Sequence, residues 1–169
     1  MAGTDLVVIG AGPGGYVAAI RAAQLGMKVV IAEKDACGGT CLNYGCIPTK
    51  ALYKNAQVMG YMDRSREFGI EIDGYRLDME QVQARKNKIV KTLTGGVEYL
   101  LKSNKVAIEK GCAKIIKAGL VEVTGKDGTV KRLETKRILI ASGSKSSRLP
   151  IQGIHLEGVI TSNQAPPMT

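Results

Sequence analysis

Tryptophan is absent from this sequence, phenylalanine occurs once, and the single histidine is His155. With aromatic residues at 4%, the chain has few flat faces on which bases could stack. The 24 basic against 15 acidic residues therefore do not read as a nucleic-acid surface. Lys86, Lys88 and Lys91 share a stretch with Glu80 and Glu98, and such interleaving is the mark of a solvated face. One histidine and no Cys-x-x-Cys spacing leave little from which to build a zinc site. Long apolar runs are missing as well. The longest uncharged run, Leu6–Ile20, is shorter than the roughly 17–25 residues that cross a bilayer, and Gly-Pro-Gly-Gly interrupts it. No basic leader precedes that run, which starts after Asp5, so no secretory segment is expected. The expectation is a cytoplasmic chain with no membrane span, no nucleic-acid partner and no metal. In a reducing compartment its four cysteines argue against a disulfide scaffold and for redox or metal chemistry.

What is present is an α/β pattern. The β-branched run Asp5–Gly10 suits a buried parallel strand. A Gly-rich turn follows it, then a helix over Tyr16–Leu25 stopped by Gly26, then a second apolar strand ending at Glu33. A cysteine-rich loop leads to a helix from about Pro48. A long helix is expected over Asp78–Asn104, with Asp78 as its N-cap. The internal pair Gly95-Gly96 weakens it by about 1 kcal/mol per glycine, which predicts a bend or close packing there. From Lys105 to Leu133 the pattern turns to short alternating strands, with a turn at Gly125–Gly128. Arg137–Ser144 reads as a buried apolar strand ending in small residues. The run "ITSNQAPPMT" begins as a helix capped by Ser162 and is stopped by Pro166-Pro167.

Gly10-x-Gly12-x-x-Gly15 lies between strand and helix. Gly10 permits the tight turn, Gly12 lets backbone approach a pyrophosphate, and Gly15 allows close helix–strand packing. The helix start then turns its N–H groups and positive dipole end toward phosphate. Glu33, at the end of the second strand, can accept from ribose hydroxyls and would repel a 2′-phosphate. The whole unit points to a dinucleotide, and NAD and FAD both suit it, because both present an ADP half.

Cys37, Cys41 and Cys46 fall within one short stretch, "CGGTCLNYGCIPTK". On a regular helix, residues five apart point roughly 140° away from each other, and a disulfide tolerates Cα separations of only about 4.4–6.8 Å. A pair of Cys41 with Cys46 therefore requires a distorted helix, which Asn43 and Gly45 permit. Thiols at a helix start are expected to have lowered pKa values. Free buried thiols, a zinc site that also uses Cys37, and a redox pair all stay open on spacing alone.

"GGTCLNYGCIPTK" resembles the active-site signature of the flavin-dependent pyridine-nucleotide disulfide oxidoreductases. "TCLN-GCIP-K" with Ala51-Leu52, and "LTGGVEYLLKSNKV" at Leu93–Val106, resemble the dihydrolipoyl dehydrogenase branch more than glutathione or mercuric reductase. The similarity runs to about Ala165. It implies FAD, with Gly10, Gly12 and Gly15 at the pyrophosphate, Glu33 at the adenosine ribose, and the loop from Lys34 to Thr40, Gly39 included, lining the cofactor. Lys50 would stand near the flavin's reactive nitrogen. Gly111 and Ala113 would let backbone approach the adenine, and Ser142 and Gly143 would match the family's ATG-like strand end.

The resemblance implies that Cys41 is the interchange thiol and Cys46 the charge-transfer thiol of a redox disulfide. Dihydrolipoamide would be oxidised through it, with NAD⁺ as co-substrate. Partners would be a lipoyl-bearing acyltransferase or a glycine-cleavage carrier protein, and the full-length family forms homodimers. Cys37 replaces a large apolar residue of the family and reads as an inert small hydrophobe, Cys112 as buried, and His155 as a surface residue.

The expected fold is a Rossmann-like FAD-binding domain, a parallel sheet with helices on both faces, plus a small antiparallel β-meander at about 111–136. Residues 1–150 would form the N-terminal segment of that domain and 151–169 a tail. Relative to the family the chain looks incomplete and inactive alone. The alternatives are a non-catalytic FAD-binding fragment or another disulfide reductase.

Overall fold

The computed structural model describes residues 3–165. Its elements run β1 (Thr4–Ile9), α1 (Pro13–Gln24), β2 (Val29–Glu33), α2 (Gly39–Asn43), α3 (Cys46–Asp63), a 3₁₀ turn (Ser65–Phe68), α4 (Met79–Ser103), β3 (Ala107–Lys110), β4 (Cys112–Lys117), β5 (Leu120–Thr124) and β6 (Val130–Ile140). The strands lie in the order β3-β2-β1-β6-β5-β4. β3, β2, β1 and the second half of β6 are parallel. The first half of β6 pairs antiparallel with β5, and β5 with β4. One strand thus belongs to two sheets.

Val7, Val8 and Ile31 are fully buried because both faces of the parallel sheet are covered. On one face, Leu6, Val8, Val29 and Ile31 pack with Ala19 and Ala22 of α1 and Val97 and Leu101 of α4. On the other, Val7, Val30 and Ala32 meet Val121 and Val123 of β5 and Leu133 of β6. The α/β class and the meander stand as expected. The helices α1 and α4 lie against one face, and the meander covers the other, where the sequence reading placed helices. The alternation of β5, which buries Val121 and Val123 and turns Glu122 outward, supplies the apolar layer a helix would otherwise give.

Asp78 caps α4 as expected, its carboxylate accepting from the Gln81 N–H at 3.0 Å. Close packing at Gly95-Gly96 is not observed. Both glycines are exposed within the helix, and an added Cβ would meet nothing within 4 Å at either. Arg137–Ile140 is only partly buried, with Ile140 66% exposed, because β5 pairs with β6 only as far as Glu134, so the parallel part of β6 has no strand on its outer side. Cys112 is exposed rather than buried, since it opens β4, the strand at the other end of the sheet order. His155 is exposed, with Arg148 at 3.1 Å from its Nδ1. Near the C-terminus the backbone forms turns, and Thr161, not Ser162, is bonded by Gln164. The proline pair at 166–167 and the rest of the expected tail to 169 lie outside the described residues. No helix among the described residues is long and apolar enough to cross a membrane.

Candidate active site

A cleft of about 460 Å³ opens at the carboxyl ends of β1, β2 and β6, the usual ligand position in a parallel α/β sheet. The Gly-rich turn forms its floor. Gly10 has φ +100°, and a Cβ there would stand 2.9 Å from the Ala141 carbonyl carbon. A Cβ on Gly15 would overlap the Gly10 carbonyl oxygen, so this glycine lets α1 settle on the strand end. Gly12 is the N-cap of α1, with no side chain capping it and Pro13 in the first turn. The helix start is therefore bare backbone facing the cleft.

The second wall is tied to the first through backbone. Gly38 N–H donates to the Ala11 carbonyl at 2.8 Å. A Cβ on Gly39 (φ +58°) would come within 2.6 Å of the Gly12 Cα, so two glycines allow the loops to touch. Glu33 lies between them: its Oε2 accepts from Ala11 N–H at 2.7 Å and its Oε1 from Asp35 N–H at 2.9 Å. A carboxylate held at both oxygens keeps lone pairs for further donors.

The cysteine segment is two helices, not one. α2 ends at Asn43, Gly45 takes φ −117° and ψ −104°, and α3 starts at Cys46, earlier than the expected Pro48. Tyr44 and Gly45 N–H both donate to the Thr40 carbonyl, at 2.9 and 2.7 Å, closing the turn. Asn43 Nδ2 donates to the Cys37 and Gly39 carbonyls at 3.2 and 2.9 Å. This break sets Cys46 close enough to Cys41 for its thiol to act on that of Cys41.

That contact reverses one expectation. The Cys41 thiol is raised above its ordinary pKa rather than lowered, first because Cys46 shares a hydrogen bond with it and then because of burial; the Lys50 ammonium opposes this. Lys50 stands four residues after Cys46 on α3, on the same helix face. Cys37 is 2% exposed, and burial, with Glu98 and Glu33 adding to it, pushes its thiol to about 11.

Of the residues singled out by sequence, Gly10, Gly12, Glu33 and Lys34 line the cleft together with Gly39, Thr40 and Cys41, and Ser142 and Gly143 close it from the end of β6. Gly15 lies behind the turn. Cys46 and Lys50 are exposed beyond the cleft lining. Gly111 and Ala113 lie outside it as well. Gly111 N–H donates to the Glu33 carbonyl at 2.9 Å, and its missing side chain makes room for Thr124, whose carbonyl carbon a Cβ would approach to 2.8 Å. Ala113, on β4 opposite Val123, packs against the core between the meander and the parallel sheet.

Sequence reasoning missed Tyr44 at the cleft, and gave Asp35 no role beyond its place in the lining loop. Tyr44 Oη donates to Asp35 Oδ2 at 2.5 Å. The only signal was a tyrosine set between two cysteines. Among the described residues no group of three or more His, Cys, Asp or Glu could hold a metal ion.

The family described as pyridine nucleotide-disulphide oxidoreductase matches residues 4–166. The chain is 48% identical over 163 residues to a mitochondrial dihydrolipoyl dehydrogenase of Dictyostelium discoideum, covering 95% of this chain and 33% of that protein. Over 147 residues it is 50% identical to a dihydrolipoyl dehydrogenase of Geobacillus stearothermophilus (87% of this chain, 31% of that protein). With the mitochondrial dihydrolipoyl dehydrogenase of Sus scrofa it shares 46% over 165 residues (95% and 32%). The chain spans about a third of the length of these curated relatives.

Proposed function

Since the chain belongs to the pyridine nucleotide-disulphide oxidoreductase family, we propose that it carries the dithiol and flavin-binding part of a dihydrolipoyl dehydrogenase activity. The observation that carries this reading is the broken helix between Cys41 and Cys46, closed by two backbone bonds on the Thr40 carbonyl, which sets Cys46 beside Cys41 on the wall of the Gly-rich cleft.

FAD fits the residues of the cleft. Gly10, Gly12 and Gly15 leave the bare, uncapped start of α1 open to a pyrophosphate, and Glu33 is oriented to accept from a ribose. Lys34, Gly39, Thr40, Ser142 and Gly143 complete the cofactor contacts in this reading. In the same reading Gly111, whose N–H donates to the Glu33 carbonyl, and Ala113 would meet the adenine, and Lys50 would serve the dithiol. When bound, FAD would supply a two-electron acceptor between the dithiol and NAD⁺.

The chain's own part is thiol–disulfide exchange. In the oxidised state Cys41 and Cys46 share a disulfide. A thiolate of the substrate dithiol attacks Cys41 Sγ, a mixed disulfide forms, and Cys46 leaves as thiolate. The second substrate thiol then attacks the substrate sulfur of that mixed disulfide, and Cys41 is released with its electron pair. Substrate dithiol becomes disulfide, protein disulfide becomes dithiol, and two electrons have moved. Lys50 favours the thiolate form of Cys41. The substrate is dihydrolipoamide on an acyltransferase or a glycine-cleavage carrier protein, the activity belongs to a homodimer, and the compartment is the cytoplasm.

The test is a visible spectrum of the chain after incubation with FAD and desalting. A retained flavin band that gains a long-wavelength shoulder on adding dithiothreitol is the expected result. A colourless chain, or a band indifferent to dithiothreitol, overturns the reading.

A further inference from the structure

The turn that lets the two thiols meet is only two residues long, and one of them, Tyr44, reaches out of it. Its hydroxyl donates to Asp35 Oδ2 at 2.5 Å. Asp35 is fixed in turn, because its N–H donates to Glu33 Oε1, whose other oxygen accepts from Ala11 N–H. A line of hydrogen bonds therefore runs from the Gly-rich turn through Glu33 and Asp35 to the residue between Cys41 and Cys46. The turn itself is closed by two backbone donors on one carbonyl, Thr40. Among the described residues no other side-chain hydrogen bond holds Tyr44.

We propose that Tyr44 is a positioning residue for the dithiol: its hydrogen bond to Asp35 holds the Tyr44–Gly45 turn in the geometry that keeps Cys41 and Cys46 within bonding reach. The inference rests on the reading of Cys41 and Cys46 as a redox pair. The bond is of the strong kind, a phenol donating to a carboxylate, and the raised Tyr44 pKa, caused first by Asp35, agrees with a proton held between them. Forming the disulfide requires the two sulfurs to be held together. A tie on the turn lowers the ordering that closure demands and so favours the disulfide over the open dithiol. Without the hydroxyl, the turn keeps its backbone bonds but gains freedom, and the disulfide becomes easier to reduce.

The test equilibrates the full chain with a series of oxidised and reduced dithiothreitol mixtures, traps free thiols with iodoacetamide and counts them on the Cys41–Cys46 peptide by mass spectrometry. Oxidised dithiothreitol takes the two electrons and two protons that the pair gives up, so the midpoint is an equilibrium constant. For Tyr44→Phe, which keeps the ring, the disulfide is expected to be roughly fivefold less favoured, a rise in potential of about 20 mV at about 30 mV per tenfold change. Asp35→Ala should give a similar shift, and the double variant no more than either single one, as one shared bond requires. A merely structural role would move the melting temperature and leave the potential alone. Unchanged potential in both single variants overturns the proposal. Additive shifts in the double variant overturn it too, since the residues would then act separately. If the wild-type chain forms no Cys41–Cys46 disulfide at any mixture, the redox-pair reading falls and the tie falls with it.

Discussion

Gly15→Ala and Gly95→Ala are the same substitution in two helices, and the structure assigns them opposite signs. At Gly95 the new methyl group meets nothing within 4 Å, so only the helix preference for alanine acts, worth about 1 kcal/mol. For a chain of 169 residues that raises the melting temperature by roughly 2–4 °C. At Gly15 the same gain is available, but the methyl carbon would overlap the Gly10 carbonyl oxygen and stand 2.9 Å from its carbon. That carbonyl is backbone, and it cannot swing aside as a side-chain end would. Gly10 is itself confined at φ +100° against Ala141. Overpacking of this kind costs about 3 kcal/mol at the upper end of its usual range. The net loss is then about 2 kcal/mol, a fall in melting temperature of roughly 4–8 °C. Thermal unfolding of the ligand-free chains by circular dichroism, at one concentration and pH, measures both. Gly15→Ala melting at or above the wild type would refute the close approach of α1 to the strand end, and with it the shape of the cleft floor.

Other expectations concern single groups. Cys37, buried and with its thiol near 11, should resist iodoacetamide at pH 8 in the folded, reduced chain while Cys112 reacts; equal labelling of the two would contradict the buried position. Cys46→Ala removes the neighbouring thiol that raises Cys41, so the midpoint of Cys41 alkylation against pH should move down, and Lys50→Met should move it up. Movement in the opposite senses would show that the thiols do not interact as described. Asp5 is held below the usual carboxylate range, first by Lys136 and then by the Lys28 N–H. Its stabilisation is therefore complete above about pH 4 and is lost as the pH falls through the lower folded value. Asp5→Asn should melt lower than the wild type at pH 7 and equal to it at pH 2, with the gap narrowed by 1 M salt. A gap that persists at pH 2 would assign the effect to something other than this charge.

Local chemistry made the Gly-rich turn, Glu33 and the Asp78 cap legible, because each acts on residues within the same unit of chain. The same holds for the break between the cysteines, which Gly45 and the thiol geometry required. What the sequence did not disclose was set by partners far along the chain. Ile140 looks like a core residue until β5 is seen to end its pairing at Glu134. Gly95-Gly96 suggests close packing until the space beside it proves open. Cys112 sits between two small residues, Gly111 and Ala113, but opens the outermost strand. The expected lowering of the Cys41 pKa considered the helix start alone, and the neighbouring thiol outweighs it. Helices on both faces were expected from the class, and the apolar side of the meander took one face instead.

The pairing of β1 with β6 sets an order in time. The ion pair between Asp5 and Lys136 closes a loop of 131 residues, and β1 cannot complete its second edge until β6 has been synthesised. At typical rates of translation that wait is on the order of ten seconds. The Gly-rich turn and Glu33 can take shape early, since β1, α1 and β2 are neighbours in sequence. The wall at Ala141–Gly143 comes only with the end of β6. The nascent chain therefore carries half a cleft until β6 emerges, and a ligand spanning both walls cannot guide the earlier steps. Such a ligand acts only afterwards, by mass action on the finished fold.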